Sequence, residues 1–94
     1  MLGVNVTYTM KPGQREEFLK QLAASGAHDG IRREAGCIQF DYFCSVDQPD
    51  ILFLLEKWTD RDAQKVHLTQ PHMDTVRTLK DQFILDTVIE LYDL

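Results

Sequence analysis

Long apolar stretches are missing from this chain. Its longest is Ile51 to Leu55, far short of the roughly 20 apolar residues that a membrane-crossing helix needs. The opening MLGVNVTYTM lacks a basic stretch followed by a long apolar core, so no secretory leader is expected. A soluble, cytoplasmic protein with no membrane partner is expected. Basic residues are also scarce: ten Lys and Arg stand against fifteen Asp and Glu, a formal net charge of −5. That balance repels a phosphate backbone, and the only adjacent basic pair is Arg32-Arg33, so nucleic acid is not an expected partner. Cysteine is limited to Cys37 and Cys44. Seven positions apart in one apparent strand, they would point to opposite faces about 23 Å apart. A disulfide between them is excluded on that reading, and buried free thiols are expected. Neither a Gly-rich phosphate loop nor a dinucleotide fingerprint occurs, so no bound cofactor is expected.

What is present reads as one small globular domain. Ninety-four residues with 44% hydrophobic and 27% charged side chains suit a single core, and chains this small often gain stability by pairing. Residues 2–10 alternate, with Val4, Val6, Tyr8 and Met10 on one face and Asn5, Thr7 and Thr9 on the other, which predicts a strand. Lys11-Pro12-Gly13-Gln14 breaks it. From Arg15 the apolar positions Phe18, Leu19, Leu22, Ala23 and Ala27 follow helical spacing, with an end near Gly26 and a second break at Gly30. Residues 37–45 and 51–58 read as strands joined by the loop Val46-Asp47-Gln48-Pro49-Asp50. Thr59 or Asp60 caps a helix over 61–68. Thr69-Gln70-Pro71 interrupts it, a further helical stretch runs over 72–81, and residues 83–92 form a last strand.

The order β-α-β-β-α-β predicts an α+β, ferredoxin-like fold: an antiparallel sheet with helices on one side. The strand patterns add a second expectation. Ile51, Phe53 and Leu55 face one way while Leu52, Leu54 and Trp58 face the other, and Ile38, Phe40 and Tyr42 oppose Cys37 and Phe43. A sheet covered on one face only should be polar on the other. Here both faces are apolar and no segment remains to cover the second. A second copy packed sheet to sheet, making a homodimer, is the simplest cover.

Several short motifs then stand in order. Arg33-Glu34-Ala35-Gly36-Cys37-Ile38-Gln39-Phe40-Asp41 leads into the second strand, and Pro49-Asp50 lies in the hairpin loop. Glu56-Lys57-Trp58-Thr59-Asp60 is followed by Ala63, His67 and Pro71-His72, and Lys11-Pro12-Gly13 with Phe18 precede them all. This series resembles the antibiotic biosynthesis monooxygenase family, its quinol monooxygenase-like members in particular. The resemblance implies a dimeric α+β barrel. It also implies one of several activities: cofactor-free oxidation of quinols or anthrones, haem degradation, or isomerisation of a phosphorylated autoinducer. It fixes fold better than reaction.

Among candidate residues, His67 is the first, a neutral imidazole able to take a proton from a phenolic or enolic hydroxyl. His72, just after Pro71, either joins it or simply holds the start of its helix. The two are five apart across a proline, unlike the i,i+4 pair that a helix offers zinc, and no Cys or carboxylate completes a set, so no metal is expected. Glu56 sits on an otherwise apolar strand face and is either paired with Arg33 or Lys57 or functional. Trp58 beside it is core or an aromatic wall. Asn5 falls near the place where the resemblance puts an Asn that polarises the reacting group. Phe40, Phe53 and Trp58 are expected to wall an apolar pocket between sheet and helices. Arg33, Lys57 or Arg77 would serve an anionic substrate, and Asp41 would orient His67 or Arg33. The expected reaction is cofactor-independent monooxygenation of a small quinol, phenol or enol with O2. An isomerase of a small polyoxygenated metabolite and a non-catalytic dimeric binding domain are the alternatives.

Overall fold

The computed structural model describes all residues, Met1 to Leu94. Eight elements follow one another: β1 (Leu2–Met10), α1 (Arg15–Ser25), α2 (Ala27–Arg32), β2 (Cys37–Cys44), β3 (Ile51–Trp58), α3 (Arg61–His67), α4 (His72–Phe83) and β4 (Ile84–Asp93). The strands form one antiparallel sheet in the order β2-β3-β1-β4, which is the ferredoxin-like arrangement. No helix is long and apolar enough to cross a membrane.

Local chemistry explains the breaks. α1 ends where Gly26 turns left-handed, φ 74°, and its N–H reaches Ala23 O, a conformation that costs glycine nothing. The first helix thus ends where the sequence placed its end, and a second short helix, α2, follows it directly. Gly30 is not a break: it lies inside α2, and its bare Cα leaves room for the His72 ring, whose Nδ1 would stand 3.0 Å from an added Cβ. Asp60 caps α3, its side chain accepting from Ala63 N at 2.8 Å. In α4, Met73, Val76, Leu79 and Phe83 form the buried stripe.

The core lies between the helices and one sheet face. Leu2, Val4, Val6, Tyr8 and Met10 of β1 join Leu52, Leu54 and Trp58 of β3, with Phe18, Ile31 and Phe40. A bulge at the start of β2 changes the expected face assignment there. Cys37 pairs with Trp58, whereas Gln39 pairs with Lys57 and Phe40 with Glu56, so Ile38 is the extra residue. Cys37, Phe40, Tyr42 and Cys44 therefore share the helix-side face, while Ile38 is exposed. The two cysteines do not face opposite ways, and neither is buried: both thiols are free, Cys37 half-buried and Cys44 exposed.

The turn into β2 depends on Gly36, at φ 85°. Its carbonyl accepts from Thr59 N at 2.9 Å, and a Cβ there would stand 2.6 Å from Ala63 Cβ and 2.7 Å from Thr59 Oγ1. Gly36→Ala combines a left-handed backbone, costing about 1–2 kcal/mol, with overpacking worth about 1–3 kcal/mol. Chemical denaturation is expected to report a loss within the sum of those ranges. A loss below 0.5 kcal/mol, on the order of a neutral surface change, would contradict the turn geometry.

Candidate active site

A cavity of ≈ 200 Å³ opens between the sheet and α3–α4. Drug-sized ligand sites usually run to about 300–1,000 Å³, so this one suits a molecule of one or two small rings. Val4, Val6, Tyr8, Phe40, Tyr42 and Leu54 supply its sheet wall, and Leu68, Met73 and Val76 the helix wall. Ile89 and Leu91 of the edge strand line it too while remaining half exposed, so the mouth lies along β4. Besides the hydroxyl-bearing Tyr8 and Tyr42, the polar residues of the lining are Glu56, Gln64, His67 and Lys80.

His67 ends α3 and is buried to 2% exposure. Its ring lies against Trp58, with centroids 4.7 Å apart, and near Phe40 at 5.6 Å. Nδ1 is 2.9 Å from Glu34 Oε2, while Nε2 has no protein partner. Burial pushes its pKa down against the upward pull of the Glu34 bond and charge. A carboxylate accepting at Nδ1 fixes the proton there and leaves the Nε2 lone pair for the cavity.

Glu34 sits in the loop after α2 and gathers a second histidine. His72 Nε2 is 2.8 Å from the same Oε2, whereas Glu34 Oε1 is buried with no partner. The metal-ligating atoms of Glu34, His67 and His72 lie within 4.8 Å of one another. A carboxylate does complete the set, contrary to the expectation from spacing: Pro71 folds the start of α4 back over the end of α3, and Glu34 arrives from a distant loop. These three residues could hold a metal ion.

Glu56 is buried and accepts from Trp58 Nε1 at 2.9 Å. It pairs with neither Arg33 nor Lys57. Burial raises its pKa, the Trp58 bond and the Lys80 charge opposing, so it holds its proton above the usual carboxylate range. Lys80 Nζ stands 5.6 Å from the Tyr8 ring centroid, and burial lowers its pKa against the Glu56 charge. Burial also raises the hydroxyl pKa values of Tyr8 and Tyr42.

Of the residues singled out in the sequence, His67, Glu56 and Phe40 meet at this cavity. Trp58 is fully buried behind His67 and is no part of the wall. His72 reaches the site only through Glu34. Asn5 and Phe53 do not reach it: they pair with Leu55 and Thr7 on the outer sheet face, because their strand parity is opposite to that of Val4 and Leu54. Asn5 Oδ1 instead accepts from Tyr92 OH at 2.9 Å. Arg33 is exposed at the end of α2. Arg77 is exposed and bonds Asp74 Oδ1 at 3.1 Å and Leu68 O, and Lys57 is on the outer face. Asp41 is bound by Arg32 and Gln39 rather than by His67 or Arg33.

Two functional groups escaped the sequence reading. Lys80 carried a signal: with Met73 and Val76 it falls on the buried stripe of α4, where a cation is out of place. Glu34 stood in a recognised motif but had no pattern tying it to residues more than thirty positions away.

Comparison with known proteins agrees with the fold. The sequence profile described as "Antibiotic biosynthesis monooxygenase" matches residues 1–79. A solved structure of an antibiotic biosynthesis monooxygenase superposes with TM-score 0.86 at 24% identity, covering 100% of this chain and 98% of the other. PA3566 from Pseudomonas aeruginosa gives TM-score 0.83 at 26% identity, over 99% and 93% of the two chains. A conserved protein from Methanosarcina mazei Go1 gives TM-score 0.86 at 24% identity, over 97% and 89%. No functionally curated protein matches. Since the family profile spans the chain from β1 into α4 and takes in the cavity's helix wall up to Leu79, the chain belongs to the antibiotic biosynthesis monooxygenase family.

Proposed function

We propose that this protein is a cofactor-independent monooxygenase acting on a small quinol, phenol or enol held in the cavity. The observation that carries the reading is His67: it lines the cavity, Glu34 holds its Nδ1, and its Nε2 has no protein partner. In this reading Nε2 takes the substrate hydroxyl proton, and the Lys80 ammonium stabilises the oxyanion in place of Asn5. The electron-rich anion gives one electron to O2, and the radical pair joins as a carbon-bound peroxide. His67 returns its proton to the outer peroxide oxygen, and the carbon loses its own hydrogen. One oxygen atom is then retained as a carbonyl while the other leaves as water. Apolar walls and a volume of ≈ 200 Å³ favour a substrate of one or two rings. We also propose that the outer sheet face pairs with a second copy.

Oxygen uptake by metal-stripped protein, measured over hydroquinones, naphthohydroquinones and anthrones against their autoxidation, tests the reading. Uptake above background is expected for at least one of them. Uptake at background for the whole panel would overturn it, and turnover persisting without oxygen would replace oxidation by isomerisation.

A further inference from the structure

We propose that Glu34, His67 and His72 form a site for one divalent transition-metal ion of the zinc class, and that filling it converts His67 from proton acceptor to proton donor at the cavity. Two imidazoles and one carboxylate are the donor set that borderline cations such as zinc, cobalt and ferrous iron take, with remaining positions left to water. The three donors come from a loop, the end of α3 and the start of α4. Only the folded chain brings their ligand atoms within 4.8 Å of one another.

Burial and satisfaction point the same way. Side-chain exposure is 10% at Glu34, 2% at His67 and 26% at His72, so the cluster is largely enclosed, with solvent reaching it past His72 and past Glu34, which also lines a shallow pocket with Val66 and Gln70. Both ring nitrogens crowd onto Oε2, at 2.9 and 2.8 Å, while Oε1 is buried without a partner. Buried polar atoms with no partner are uncommon in folded proteins. A cation bound by both carboxylate oxygens, or by one with a water on the other, satisfies the group fully.

Occupancy has a chemical consequence. The metal takes His67 Nδ1 and His72 Nε2, the two atoms that now face Glu34. With neutral rings no net proton need be released: each proton moves to the opposite ring nitrogen. His67 then presents Nε2–H to the cavity, where the metal-free ring presents a lone pair. The base is withdrawn without any movement of the cavity wall.

The test needs no substrate, so it stands or falls apart from the oxygenase reading. The metal-stripped protein is titrated with cobalt(II), followed by its visible absorption, and with zinc(II), followed by melting temperature. One ion per chain is expected, and Glu34→Gln and His72→Gln are each expected to weaken binding by at least about tenfold. In the unmodified chain, imidazole ¹⁵N resonances of His67 Nδ1 and His72 Nε2 are expected to move with zinc while those of His28 do not, which keeps the test sound if a variant fails to fold. No saturable binding at millimolar metal, undiminished binding in both variants, or shifts confined to His28 would each overturn the proposal.

Discussion

His67→Ala is expected to abolish oxygen uptake on any substrate the native protein turns over, a fall of about 10²–10⁴-fold for the loss of a positioned base. His67 is the one imidazole that lines the cavity. Glu56 already accepts from Trp58 Nε1 at 2.9 Å, and burial raises its pKa. The burial that raises the Tyr8 and Tyr42 hydroxyl pKa values makes neither a ready base. Lys80 Nζ lies over the Tyr8 ring, 5.6 Å from its centroid. The substitution also touches the fold. It leaves Trp58 without the ring 4.7 Å away and removes one of two donors to Glu34 Oε2, the latter worth about 1–3 kcal/mol. His67→Asn separates the two effects: its amide nitrogen, attached to Cγ like Nδ1, can keep the Glu34 bond but cannot serve as the base. Both variants should lose uptake, with the Asn variant the more stable to heat. Full uptake in either folded variant would remove His67 from the reaction.

Legibility in the sequence followed the range of the interactions. β1, β3 and α4 were read close to their true limits, since each is a periodic apolar pattern that burial enforces. The end of α1 near Gly26 was legible, but α2 was not read as a helix of its own, since its six residues carry too short a pattern and Gly30 within it looked like a break. Ile38 shows how one extra residue defeats a period-two argument: it reverses the face of Cys37 relative to Phe40. Within the site, Glu56 was legible from its place on a strand with a clear face, and His67 and Phe40 from the motif series, all three lining the cavity. The Glu34 pairing joins residues 33 and 38 positions apart, and nothing in local spacing encodes it. Asn5 and Phe53 failed for a related reason. Their alternation was read correctly, but the cavity lies on the other face of the sheet.

That other face carries the final expectation. Phe53 packs on Phe43 with ring centroids 6.5 Å apart, Ile51 and Leu55 flank it in β3, and no helix lies over them. Phe43 and Val88 remain 48% and 51% exposed. If a second copy closes this face around a two-fold axis, each substitution enters the contact twice. Phe53→Glu then buries two unpaired carboxylates, each costing several kcal/mol to desolvate, and removes two aromatic rings from the contact. In the lone subunit the same residue is only half-buried, so its carboxylate can keep contact with water and the penalty falls mainly on association. Light scattering at micromolar concentration is expected to give twice the chain mass for the native protein and a single chain mass for Phe53→Glu, with far-ultraviolet circular dichroism unchanged. A native chain that runs as a monomer, or a Phe53→Glu dimer of undiminished affinity, would show that the apolar outer face is not the dimer contact.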